Sequence, residues 1–201
     1  GDISSAAFWM IAGICHRNSE LLLKNVGINS TRNGIITILK KMNANIQILN
    51  KRDIAGEPIA DIYVKTSELK ATEISGDIIP LLIDEIPVIA LAASFAEGIT
   101  HIKNAEELRV KESDRIETTV NFLKSCGVEI QSTKDGMIIT GNPDLVLKYG
   151  SFSSQMDHRI TMTMAIAGLL SSEGVNIIDG ETANISYPNF WETVKKLDLG
   201  I

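Results

Sequence analysis

The stretch ELRVKESDRI, residues 107–116, alternates three cations, Arg109, Lys111 and Arg115, with three acids, Glu107, Glu112 and Asp114. Two kinds of chemistry fit that pattern. The charges can neutralise one another on a solvated helix face, or the cations can hold an anion. Ile116, Thr119, Val120 and Leu123 recur at helical spacing, with Glu117, Asn121 and Lys124 opposite. A surface helix is therefore expected to begin near Lys111 or Glu112. Cations at a helix start oppose the macrodipole, and Lys111 and Arg115 would share a face at a cost of about 0.2–0.5 kcal/mol. Glu107 and Glu112 offset part of that cost. The alternative is a helix end whose free N–H groups and cations converge on one ligand.

Similar charged starts recur. Arg159 stands beside Asp157 and His158 in MDHRITM, and Arg32 lies in NSTRNGI. Ser4 and Ser5 open an apolar run in GDISSAAF, where hydroxyls and free N–H groups suit a phosphate and serine is equally an ordinary cap. Asp84, in LLIDEIPVIALAA, reads either as a cap before a proline-started helix or as a general base tuned by a nearby Lys or Arg. His16 and His101 stand apart from other polar candidates and are expected on the surface or in packing roles. No His or Cys spacing suggests a metal site. The G-x-S-x-G, Walker A and G-x-G-x-x-G patterns are all missing, which weighs against a serine hydrolase, a P-loop kinase and a Rossmann oxidoreductase.

The elements that must position these residues come in three similar segments, beginning near Ala6, Ile86 and Arg159. Each has a small-residue-rich apolar run, then a short strand: ELLLKN, ITHIKN or VNIIDG. Each continues with a loop, an amphipathic helix and a return strand. The period is roughly 75–85 residues, too long for a common solenoid. PVIALAASFA and ITMTMAIAGLL are apolar on nearly every face and so are expected to be buried all round. EPIADIYVKTSEL reads as a strand and TKDGMIITG as a hairpin turning at Asp135-Gly136. The expected class is α/β (α+β): repeated β-α-β-α-β-β units, each with one helix inside.

Composition limits the function. The chain has 201 residues and a net charge of -6, enough length for a real core and the wrong sign for a general nucleic-acid binder. Its two cysteines, Cys15 and Cys126, are too few for a disulfide framework and read as reduced thiols of a cytoplasmic protein. No apolar run approaches about 18 residues, so no membrane span is expected. The chain opens on Gly1-Asp2 with neither an initiator Met nor a signal pattern, and is expected to be a piece of a longer protein.

Taken in order, GDISSAAF, IDEIPVIALAA, ELRVKESDRI, DHRITMTMAIAGL and SYPNFWE resemble the EPSP synthase (3-phosphoshikimate 1-carboxyvinyltransferase) family from residue 1 to about residue 195. The resemblance implies an inside-out α/β barrel of the enolpyruvyl transferase type, with two domains and a site in the cleft between them. It assigns residues 1–44 to the end of the upstream domain and 45–201 to most of the downstream one, and implies that an N-terminal half is missing. The implied reaction moves the carboxyvinyl group of phosphoenolpyruvate to the 5-hydroxyl of shikimate 3-phosphate and releases phosphate, without metal or cofactor. By the same likeness Asp84 is the proton acceptor, Lys111 a lysine near both substrates, and Glu112 a carboxylate near the methylene. Arg115 and Arg159 hold phosphoenolpyruvate, and Ser4 and Ser5 hold the shikimate phosphate. Arg32, Asp157 and His158 complete the expected binding set. Many relatives carry a lysine just before the aromatic-proline pair near the C-terminus; here Asn184 and Ile185 stand there. The rival readings are the enolpyruvyl transferase acting on UDP-N-acetylglucosamine and a non-catalytic binding module. The full-length protein is expected to be monomeric, and this chain alone to fold without catalysing. Replacing either Arg115 or Arg159 by Ala is expected to weaken phosphoenolpyruvate binding with the fold intact.

Overall fold

Helices without a polar face must be surrounded by protein, and three such helices organise this molecule. The computed structural model describes residues 1–197. Helix α1 (Ile3–Cys15), helix α3 (Ile86–Ser94) and helix α5 (His158–Leu170) pack against one another. Every residue of α3 is buried, as are Ile160–Ala167 of α5 and nearly all of α1. Alanines at 6, 7, 90, 92, 93, 165 and 167 let the backbones approach. One apolar cluster runs from Ile3 to Phe190.

The second unit realises the expected order in full: β4 (Glu73–Ile74), α3, β5 (Gly98–Ile102), α4 (Arg115–Ser125), β6 (Glu129–Thr133) and β7 (Gly136–Gly141). The first unit follows it as α1, β1 (Glu20–Gly27), α2 (Gly34–Lys41), β2 (Asn45–Ile54) and β3 (Glu57–Lys65). The third is shorter: β8 (Ser151–Phe152), α5, β9 (Asn176–Ile177) and α6 (Phe190–Lys196). Strand order repeats between units. The first sheet runs β1-β3-β2 and the second β4-β5-β7-β6, with a parallel β4-β5 edge that the β8-β9 pair reproduces.

The sheets remain separate and are laid around the buried helices, with no closed barrel among the described residues. β1 pairs with β3 from Glu20 opposite Lys65 to Gly27 opposite Ile59, and α1 shares its core with α3 and α5. One expectation, the Asp135-Gly136 turn, needs correction. The β6-β7 hairpin turns on Lys134 and Asp135, with Thr133 opposite Gly136. Gly136 is needed for a close approach instead: a Cβ there would lie 2.0 Å from the Ile102 carbonyl oxygen on β5.

The amphipathic face of α4 is as expected, with Ile116, Thr119, Val120 and Leu123 buried and Asn121 and Lys124 exposed. Its start is not. Residues Glu106–Val110 form a 3-10 turn, and α4 begins at Arg115 behind the Asp114 cap, whose Oδ1 accepts from Glu117 N at 3.0 Å. Lys111 therefore precedes the helix, and the expected like-charge pair on one face does not exist.

Candidate active site

The buried helices start at one end of the molecule and finish at the other. Their last turns, at Cys15, Phe95 and Leu170, line a common cavity of about 470 Å³. Their first turns bring together Ser4, Asp84, Glu85 and Arg159, and α4 adds Arg115. Residues far apart in sequence therefore meet because three copies of one unit point their helix starts at one place.

Arg115 is the centre of this cluster. Its Nε donates to Asp157 Oδ2 at 2.8 Å, its Nη1 to Asp84 Oδ1 at 3.0 Å and its Nη2 to Glu112 Oε2 at 2.5 Å. Only 1% of the residue is exposed. Burial works against its charge, but Asp157 first, then Glu112 and Asp84, outweigh it and raise the pKa above the ordinary arginine value. Asp157 is wholly buried and serves four partners: its Oδ1 caps α5 by accepting from Arg159 N at 2.9 Å and Ile160 N at 3.4 Å, and its Oδ2 accepts from Arg115 and from Ser113 Oγ at 3.0 Å.

Asp84 is not a helix cap. The cap position of α3 belongs to Glu85 and carries no side-chain bond. The Asp84 carboxylate lies between guanidiniums, with Arg159 Nη2 at 4.0 Å from its other oxygen, and 36% of its side chain is exposed. It is thus positioned by cations and open on one side, the arrangement a reachable base requires. Arg159 has Asp84 as its ion-pair partner and is 14% exposed at the side chain. His158 Nδ1 stands 4.0 Å from Glu112 Oε1. Burial, then the neighbouring Arg159, lowers the His158 pKa, so it is neutral at physiological pH.

The remaining expected residues divide. Arg32 Nη2 donates to Ser4 Oγ at 3.1 Å and pairs with Asp2 at 3.5 Å, so both belong to the edge of the cluster. Ser4 is 1% exposed and spends its oxygen on Arg32. Ser5 takes part in the α1 cap, its N and Oγ both donating to Asp2 Oδ2. Lys111 pairs with Glu107. Arg109 is structural: it donates to the Lys134 and Thr133 carbonyls of the β6-β7 hairpin and to Asp114 and Glu117. The 107–116 stretch thus combines both readings, a salt-bridged face at Arg109 and Lys111 and a buried charge centre at Arg115.

Two residues escaped the sequence reading. Glu85, 4% exposed, sits inside the cluster; an acid one residue before a wholly apolar helix was the available signal. Asp179, 7% exposed, accepts from Ser154 N at 2.9 Å, Ser153 Oγ at 3.0 Å and Met156 N at 3.1 Å. It pins the loop in which Gln155 and Met156 both adopt left-handed backbone, φ 56° and 62°, immediately before Asp157. Nothing in the sequence joins positions 154 and 179.

The family model for EPSP synthase (3-phosphoshikimate 1-carboxyvinyltransferase) matches residues 1–194. A 3-phosphoshikimate 1-carboxyvinyltransferase of Syntrophotalea carbinolica is 52% identical over 96% of this chain and 44% of its own length. One from Bacillus cereus is 53% identical over 98% of this chain and 46% of its own length. The chain thus spans under half the length of these relatives. Among solved structures, EPSP synthase from Acinetobacter baumannii superposes with a TM-score of 0.93 at 43% identity, covering 97% of this chain and 45% of that one. The enolpyruvyl transferase NikO of Streptomyces tendae, at 17% identity and a TM-score of 0.76, shares the fold. With the family model spanning both the helix starts and the RVKESDR and DHR segments that build the charge cluster, the chain belongs to the EPSP synthase family.

Proposed function

We propose that this chain supplies one wall of a site that transfers the carboxyvinyl group of phosphoenolpyruvate to the 5-hydroxyl of shikimate 3-phosphate and releases phosphate. The observation that carries this reading is Asp84 held between Arg115 and Arg159 at the common start of the buried helices. Asp84 takes the proton of the attacking hydroxyl. Arg159, whose one ion-pair contact is long, at 4.0 Å, receives the carboxylate or phosphate of phosphoenolpyruvate. Glu112 and Lys111 stand at the rim and handle the proton at the methylene carbon, Lys111 after leaving Glu107. The tetrahedral adduct then expels phosphate, and the proton gained at the methylene is returned.

Arg115 acts beneath this surface, holding Asp84 and Glu112 in register. Two substrates carry more negative charge than the free cations of this wall balance, so the partner is an opposing wall, from the rest of a full-length monomer, that also closes the site to water. Two free thiols fit a reducing compartment such as the cytoplasm. The shikimate reaction is preferred over transfer to UDP-N-acetylglucosamine because relatives above half identity carry the shikimate name.

The test is release of phosphate in a protein of full family length that carries this chain. Release should require both phosphoenolpyruvate and shikimate 3-phosphate, and Asp84→Asn should lower turnover about a hundredfold or more with the melting temperature little changed. Turnover independent of shikimate 3-phosphate, or untouched in Asp84→Asn, overturns the reading. The 201-residue chain alone should release none.

A further inference from the structure

Four acids gather at the helix starts. Asp84, Glu112 and Asp157 are each paired with Arg115. Glu85 makes no ion pair, although it is 4% exposed, and its Oε1 has no hydrogen-bond partner. A carboxylate left buried and unpaired is costlier than the neutral acid, which favours the protonated form. It is also placed where its charge state matters. The groups facing it are Ser4 from α1, Arg32 from the loop before α2, Arg159 from α5, and Asp84 on its own segment.

We propose that Glu85 is an uncharged positioning acid, which joins Ser4 of the first unit to the Arg159 side of the third and leaves Arg32 and Arg159 available to an anion. An ionised Glu85 would join Asp84 in neutralising Arg159, and the wall would lose its attraction for a negatively charged ligand. The neutral carboxyl instead faces Ser4, whose oxygen is held by Arg32 at 3.1 Å. The chain Arg32–Ser4–Glu85 then fixes the relative placement of two units without adding charge. Burial, the largest influence on Glu85, raises its pKa above the ordinary glutamate value, with Ser4, Arg159 and Arg32 pulling down and Asp84 pushing up. This role rests on the reading of Arg159 as an anion contact; the protonation of Glu85 does not.

Two measurements on the chain test it. In carboxyl-labelled protein, with Glu85→Gln assigning the signal, Glu85 should remain protonated at a pH where the surface glutamates have ionised. Sulfate, whose charge is constant over the range, should lose affinity about fivefold as Glu85 ionises, the effect of one added charge at close range. That loss should vanish in Glu85→Gln and persist in His158→Gln, which separates it from titration of the neighbouring imidazole. A Glu85 signal that titrates with the surface glutamates, or an unchanged pH slope in Glu85→Gln, overturns the proposal. A late-titrating Glu85 together with unaltered sulfate affinity in Arg159→Ala instead overturns the anion-contact reading, and the proposed role with it.

Discussion

The guanidinium of Arg115 meets the carboxylate of Asp157 at 2.8 Å, and the two side chains are only 2% and 0% exposed. An arginine so enclosed compensates the buried acids around it. Its loss should therefore cost stability as well as any ligand binding. Arg115→Met should destabilise the protein by about 3–5 kcal/mol, because Asp157 is left as an uncompensated buried charge. Urea titration measures this, and a loss below about 1 kcal/mol contradicts the assignment.

Arg159 should behave in the opposite way. Its contact to Asp84 is long, at 4.0 Å, so Arg159→Ala should change stability by no more than about 1 kcal/mol. Affinity for sulfate or phosphoenolpyruvate should fall tenfold or more, as when one partner of a bound anion is removed. Calorimetric titration and a thermal melt on the same sample separate the two arginines.

Asp179 gives a pH-dependent prediction. Burial opposes its charge, but hydrogen bonds from Ser154, Met156 and Ser153 outweigh it, and the carboxyl pKa is depressed. A depressed carboxylate contributes stability that is present above its unfolded pKa, about 3.9, and lost as pH falls through the folded value. Asp179→Asn should therefore be less stable than the parent at neutral pH, and the difference should shrink below about pH 4. Asp179→Ala should lose about 3 kcal/mol, since buried Ser154 N and its neighbours lose their acceptor. Equal stability differences at both ends of the pH range would contradict the charge argument.

Gly136 tests the backbone approach between β7 and β5. With a Cβ placed 2.0 Å from the Ile102 oxygen, Gly136→Ala should destabilise by about 2–3 kcal/mol through overpacking. Gly56, at φ 84° with nothing near its Cβ position, pays only for its backbone conformation, so Gly56→Ala should cost nearer 1 kcal/mol. A reversed order in chemical denaturation would refute the close-approach account.

What the sequence made legible was whatever has a local pattern. The helices α3 and α5 were readable because their residues are apolar on every side, and α4 because its stripe has helical spacing. Boundaries set by tertiary contacts were not. Lys111 lay one turn outside α4 because Asp114, four residues upstream of Thr118, takes the cap. Gly136 imitated a turn residue while answering to a neighbouring strand. Asp84 resembled a cap by position, yet its partners come from helices that begin at Arg115 and His158. The cluster was legible as recurring charged helix starts and as a family likeness; which acids pair with Arg115 and which with Arg159 was not, because those partners come from distant segments.

Helix α1 is the first element of this chain to be made and α5 among the last, yet each is a wall of the other's resting place. On the ribosome, at about 5–20 residues per second, roughly eight to thirty seconds separate them. During that interval the side chains of Phe8, Trp9, Met10 and Ile11, all buried in the finished protein, have no complete site to enter. The repeat that gathers three helix starts into one cluster therefore delays closure of the core, and leaves the nascent chain dependent on whatever shields an apolar helix in the meantime.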